Sequence, residues 1–271
     1  MYMSLGSERI FHLVSWSMLK AILFDVDNTL IYFDEITFYK KYLSQVSQVF
    51  ADIMPFDLFQ KKLLLATQAL MDNHGKMSNA EYFMSIFCKG FEAQRDEIWE
   101  RFMRFYEREY DQFRTLVSVP KGIPEVFLQL QKGNLKLVIA SNPMWPLDAQ
   151  MKRLSWAGLG EFHFDLVTHI ENMSYCKPRI EYYEEICLKM DERPEACLMV
   201  GNDPINDMIV ATIGMTTFLV IDSPHFDESS LEMSRRIRID PKTEIPVPDF
   251  KGTLSEVPHA VDFLLKNGRR P

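Results

Sequence analysis

The chain reads as an α/β protein: a doubly wound, parallel-sheet core carrying an inserted all-helical domain. Two observations point there. Apolar runs of strand length recur at 21–24, 135–140, 164–169, 197–200 and 217–221. They are rich in Val, Ile, Leu and Phe and do not alternate with polar residues, as strands covered on both faces require. Between the first run and the second, by contrast, nothing has strand character.

Taken in order, the elements support this division. Residues 1–17 form an N-terminal extension, in which a moderately apolar stretch is interrupted by His12, preceded by Glu8 and lacks a basic flank. That pattern is not the one of a signal peptide. The core is expected at 18–31 and 119–271, and the helical domain at 32–118. Within the latter, Phe38, Tyr42, Val46, Val49 and Ile53 recur at helical spacing, as do Phe59, Leu63, Ala66 and Leu70. A third stripe runs through Ile98, Phe102, Phe105 and Tyr106. In the core, residues 122–133 predict a helix with Pro124 near its start and Gly133 as its stop. Ile180, Tyr183, Cys187 and Met190 make another apolar stripe after Pro178. Strand, helix, strand, helix in sequence argues for parallel βαβ units and a Rossmann-like layer. The segment 222–258, with Pro224, Pro241, Pro246, Pro248 and Pro258, predicts a loop before a short closing helix over 260–265.

Composition narrows the function classes. A formal net charge of −8 argues against a partner bound through a nucleic-acid backbone, because no Lys/Arg stripe offsets it. No stretch reaches the roughly 20 apolar residues of a membrane-spanning helix, so no membrane partner is expected. Cys88, Cys176, Cys187 and Cys197 lack zinc or disulfide-framework spacing and suit reduced thiols in a cytoplasmic protein. His74, His163 and His169 show no ligand spacing either.

The chemistry gathers at the strand ends. Residues 20–30 read KAILFDVDNTL, a buried run that stops at Asp25 and Asp27. Buried carboxylates need a metal, a cation or solvent. The run at 135–142 ends in Ser141-Asn142, and that at 197–203 ends in Gly201-Asn202-Asp203. Three such ends suggest one site at the carboxyl edge of a parallel sheet.

These residues resemble the haloacid dehalogenase superfamily, in its phosphatase branch with a helical cap. Four motifs carry the resemblance in order: Asp25-Val26-Asp27-Asn28-Thr29, Ser141-Asn142, Lys177-Pro178, and Gly201-Asn202-Asp203 with Asp207. It spans 18–31 and 119–221; over the cap only length and helical character agree. Two positions depart from the family pattern: Cys176 precedes Lys177 where Gly is usual, and Asn202 follows Gly201 where Asp is usual.

The resemblance implies a Mg²⁺-dependent phosphatase acting on a small phosphorylated metabolite through an aspartyl-phosphate. Asp25 would be the nucleophile and Asp27 the acid and base, protonating the leaving oxygen and then activating water. Ser141 and Lys177 would hold the phosphoryl oxygens. Asp25, the Asp27 carbonyl, Asn202, Asp203 and Asp207 are the expected metal set, with Asp203 favoured over Asn202 as direct ligand and Asp207 orienting a metal-bound water. Asn28, Thr29, Asn142, Phe33 and Trp145 are expected on the substrate side. The Pro143-Met144-Trp145-Pro146 turn makes a stiff apolar rim. Asp27 counts against dehalogenation, which normally proceeds without a second Asp. A phosphomutase, a phosphonate-cleaving enzyme and a non-catalytic binding protein are the alternatives on this framework.

Overall fold

The computed structural model describes residues 18–222 and 246–268. The N-terminal extension and most of the proline-rich segment, including Pro224 and Pro241, lie outside the described residues. Among those described, six parallel strands form one sheet. They are β1 (Ala21–Phe24), β2 (Lys136–Ile139), β3 (Leu166–Val167), β4 (Cys197–Gly201), β5 (Thr216–Val220) and β6 (Phe250–Gly252). Their spatial order is β3-β2-β1-β4-β5-β6.

β1 lies between β2 and β4 and is buried throughout, which explains its unbroken apolar run. Alternate residues serve opposite faces. Ile22, Phe24, Ile139 and Val200 pack with α5 (Ile123–Leu130) and α8 (Val257–Asn267) on one side. Leu23, Val138 and Met199 pack with α7 (Ile180–Met190) on the other. Pairing sets Phe24 against Ile139 on one neighbour and Val200 on the other. The next residues of all three strands therefore emerge at one sheet edge. The strand order reverses between β1 and β4, the switch point at which open α/β sheets form a crevice.

Three expectations change at the element level. The strand expected over 164–169 shortens to two residues, because only Leu166 and Val167 pair with β2. The closing helix is longer than 260–265, beginning at Val257 behind a Thr253–Glu256 capping box. Within the segment expected as loop, Phe250–Gly252 joins β5 as an edge strand. Its apolar content is too short to signal a strand before β5 supplies the ladder.

Between β1 and β2 the chain builds α1 (Glu35–Gln48), α2 (Phe56–Ala69), α3 (Asn79–Phe87), α4 (Arg95–Arg108) and a 3-10 segment at Tyr110–Leu116. Local chemistry starts two of them. The Asp34 carboxylate accepts the Thr37 amide at 2.8 Å ahead of α1, and Ser78 with Glu81 forms a capping box on α3. The predicted stripes are the buried ones: Phe38, Tyr42 and Val46 on α1; Phe59 and Ala66 on α2; Ile98, Phe102, Phe105 and Tyr106 on α4. Phe50, Phe59, Phe87 and Phe102 form a ring cluster with centroids 4.6–6.3 Å apart. Each such ring contributes about 2 kcal/mol or more by leaving water.

The insertion is pinched at its base, where Tyr32 and Ser118 exchange two backbone hydrogen bonds of 2.8 Å. It docks on the core through α3, whose Asn79 and Ala80 amides donate to the Met173 and Ile170 carbonyls, both at 2.8 Å. A helix absent from the sequence expectations, α6 (Leu147–Trp156), follows the Pro143–Pro146 turn and packs against α4. No described helix is long and apolar enough to cross a membrane.

Candidate active site

Sheet register determines what meets at the crevice. Asp25 follows Phe24 directly, and its amide donates to the Val200 carbonyl at 2.9 Å, so the carboxylate leaves the sheet beside β4. Lys177 comes from the loop between β3 and α7. Its Nζ lies 2.7 Å from Asp25 Oδ1 and 2.6 Å from Asp207 Oδ1, and the ammonium is 2% exposed. Burial opposes that charge, but Asp207 and Asp25 outweigh it and hold the Lys177 pKa well above its ordinary range. Lys177 is therefore a cation clamped between two carboxylates.

The other oxygen of Asp25 faces Thr29. The Thr29 hydroxyl lies 3.1 Å from Asp25 Oδ2 and 3.1 Å from Asn202 Oδ1, able to donate to either. Asn28 adopts a left-handed φ of 58°, which Asn tolerates, and the turn 26–31 closes through Asn28 N to the Ile31 carbonyl at 2.7 Å. Ser141 is buried. Its carbonyl is held by the Thr168 and Tyr182 hydroxyls at 2.7 and 2.8 Å, while its own Oγ has no hydrogen-bond partner among the described residues. Asn142 accepts the Lys177 amide at 3.3 Å.

The Gly201 turn separates the two expected metal alternatives. Asp203 curls onto its own turn: Oδ1 accepts the Ile205 and Asn206 amides, and Oδ2 accepts the Asn206 side chain at 2.6 Å. Asn202 instead reaches Thr29, one hydrogen bond from Asp25. Asn202, rather than the favoured Asp203, is thus the member of the pair that shares a hydrogen-bond partner with Asp25. Asp207 packs where a side chain on residue 201 would stand. A Cβ on Gly201 would lie 2.2 Å from Asp207 Oδ2. That oxygen accepts the Asp203 amide at 3.0 Å.

Among the described residues no three His, Cys, Asp or Glu side chains form a ready metal cage. The hard oxygens near Asp25 are the Asp207 carboxylate and the Asn202 amide. Mg²⁺ suits so sparse a set, since it binds through one or two carboxylates and keeps several waters.

A cavity of about 700 Å³ opens over this cluster, walled by Asp25, Asp27, Asn28, Asn142, Trp145 and Lys177, with Asn202, Asp203 and Asp207 also lining it. Thr29, Ser141 and Phe33 are not among its walls. Thr29 lies behind Asp25, and Phe33 is buried against Phe38 with centroids 4.7 Å apart. Thr29 bonds Asp25, and the Phe33 amide donates to Asn28 Oδ1 at 3.4 Å, so each of these two expected substrate residues is joined to a residue that lines the cavity.

The sequence reading missed Arg153. It projects from α6, is 1% exposed, and pairs with the Asp27 carboxylate. Its Nη1 donates to Gln150 Oε1 at 2.8 Å, and its guanidinium lies 5.7 Å from the Trp145 ring centroid. Burial pushes its pKa down to about 9, opposed by the charge of Asp25. No spacing singles it out, because it becomes a site residue only when α6 packs beside the turn after β1.

Comparison with known proteins places this geometry. One curated relative is the glyceraldehyde 3-phosphate phosphatase of Methanothermobacter thermautotrophicus, 26% identical over 225 residues, covering 80% of this chain and 95% of that protein. Among solved structures, the L-2-haloacid dehalogenase of Xanthobacter autotrophicus superposes with a TM-score of 0.50 at 18% identity, covering 90% of this chain and 99% of that one. The L-2-haloacid dehalogenase RSc1362 gives 0.51 at 17% identity, with the same coverage. These two likenesses are of fold. The model of the haloacid dehalogenase-like hydrolase family matches residues 19–212, from the first strand through the Gly201 turn, and the chain belongs to that family.

Proposed function

We propose that this chain is a Mg²⁺-dependent phosphatase that hydrolyses a small phosphorylated metabolite through an acyl phosphate on Asp25. The observation that carries the reading is the setting of Asp25: one oxygen on the Lys177 ammonium, the other at the Thr29 hydroxyl, with a second carboxylate two residues on. The phosphatase among the relatives supports the choice of reaction within the family.

In the first step an Asp25 oxygen attacks phosphorus and the ester P–O bond breaks. Asp27, once protonated, delivers its proton to the departing oxygen. In the second step the Asp27 carboxylate takes a proton from water, whose oxygen attacks the same phosphorus. The bond to Asp25 breaks and inorganic phosphate leaves. Lys177 balances charge on the nucleophile and on the phosphoryl oxygens, and the unpartnered Ser141 hydroxyl is a donor for one of them. Asp25, the Asp27 carbonyl, Asn202 and Asp207 would hold Mg²⁺, which when bound neutralises phosphoryl charge and aligns the group for in-line displacement.

The test is phosphate release from a panel of phosphorylated metabolites, with Mg²⁺ or with EDTA, for the wild type and Asp25→Asn. Metal-dependent release that falls more than about 10³-fold in the variant is expected. Release unaffected by Asp25→Asn would overturn the reading.

A further inference from the structure

A second cavity, of about 320 Å³, abuts the catalytic one and has no charged residue on its walls. It lies between the helical insertion and the turn after β2, walled chiefly by Tyr42, Leu63, Phe83, Phe102, Tyr106 and Ile170. The Tyr42 and Tyr106 hydroxyls are hydrogen bonded to each other, so each already has one partner within the wall. Protein interiors carry few voids larger than a water molecule, whereas a recess of this volume is ligand-sized.

The two cavities share three walls: Tyr39, Met144 and Trp145. Tyr39 and Trp145 stand with their rings parallel to within 4° and centroids 6.3 Å apart. Trp145 also packs under the Arg153 guanidinium, which holds Asp27. The shared wall therefore lies beside the residue assigned to protonate the leaving oxygen. An apolar cavity of about 150 Å³ accommodates benzene, so this one has room for roughly two such rings or a chain of about eight carbons.

We propose that the apolar recess binds the leaving group, and that the substrate class is a phosphate monoester of an apolar alcohol or phenol. The inference rests on the phosphatase reading for its anionic end and on the recess for its apolar end. The occupant is the ester's own tail because the recess lies directly against the catalytic cavity, with Tyr39, Met144 and Trp145 lining both.

The test separates the two parts. Binding of the n-alkylphosphonates from methyl to octyl, which cannot be hydrolysed, is measured calorimetrically with Mg²⁺ present. Affinity is expected to rise about three- to fourfold per methylene until the recess is full, with an increasingly negative heat-capacity change. Thr67→Trp, which fills the recess from its α2 wall, is expected to flatten the series. Affinity independent of chain length, or a dependence that survives Thr67→Trp, would overturn the proposal. Chain-length-dependent binding without turnover of any matching alkyl phosphate would leave the recess assignment standing and remove the phosphatase reading instead.

Discussion

Arg153 reaches from the helix after β2 to pair with Asp27 in the turn after β1, and the two differ sharply in exposure: 1% for the arginine, 28% for the aspartate. A charge pair of this kind is asymmetric. Whichever partner is removed, the other remains charged, but only the aspartate has solvent to fall back on.

Removing the aspartate should therefore cost more than removing the arginine. Asp27→Ala strands a fully buried guanidinium, at a cost of about 3 kcal/mol or more. Arg153→Met retains volume and leaves a partly solvated carboxylate, at about half that cost. Urea denaturation of the two variants at neutral pH gives the order. An equal or reversed order would mean that Arg153 is held mainly by Gln150 and the Trp145 ring.

Asp27 should matter in proportion to the leaving group's need for a proton. Aryl phosphates with acidic phenols depart unaided, whereas alkyl phosphates require protonation. Asp27→Asn is expected to lower turnover of an alkyl phosphate by about 10²–10⁴-fold more than it slows the first step with p-nitrophenyl phosphate, seen as a retained nitrophenol burst. Equal losses for both esters, with no burst, would remove Asp27 from the acid role.

Gly201 should not tolerate a methyl group. A Cβ there would lie 2.2 Å from Asp207 Oδ2 and 2.4 Å from its Cγ, so Asp207 would have to leave Lys177 and the Asp203 amide. Gly201→Ala is expected to destabilise the fold by about 1–3 kcal/mol through overpacking and to weaken Mg²⁺ binding. Thermal unfolding with and without Mg²⁺ measures both effects. An unchanged Tm with unchanged Mg²⁺ stabilisation would show that Asp207 has room to move.

Cys176 should make stability fall at alkaline pH. It is fully buried, touched at Sγ by Asn79 Nδ2 at 3.5 Å, and burial pushes its thiol up to about 12. Between about pH 9 and 12 the folded chain keeps a proton that the unfolded chain has lost. The Cys176 contribution to stability therefore decreases as pH rises through that window, by at most about 1.4 kcal/mol per unit. Cys176→Ala should make the overall slope shallower, as read from urea midpoints at pH 8.5 and 10.5, while Cys88, Cys197 and the buried tyrosines, whose pKa values burial also raises, keep their share of it. A slope unchanged in the variant would assign it to other groups.

Much of the scaffold is visible in the order of residues alone. The unbroken apolar runs at β1, β2 and β4 announce strands covered on both faces, because a parallel sheet buries every side chain they carry. Their endings place Asp25, Ser141 and Asn202 at one edge before any coordinate is known, since parallel strands expose their carboxyl ends together. The helical stripes at Phe38, Phe59 and Phe102 are legible for a similar reason, as the period of a helix is local.

What tertiary packing alone decided is equally specific. Asn202 and Asp203 are adjacent oxygen donors that the sequence leaves equivalent in kind. The turn's own amides capture Asp203, and Thr29, folded back from β1, captures Asn202. Arg153 is one arginine among many until α6 carries it over the Trp145 ring to Asp27. The 320 Å³ recess exists only because α1, α2 and α4 meet the turn after β2 without filling the space between them. Periodicity and strand ends are properties of neighbours in the chain, so the sequence carries them; pairing and cavity shape are properties of neighbours in space, which folding must first bring together.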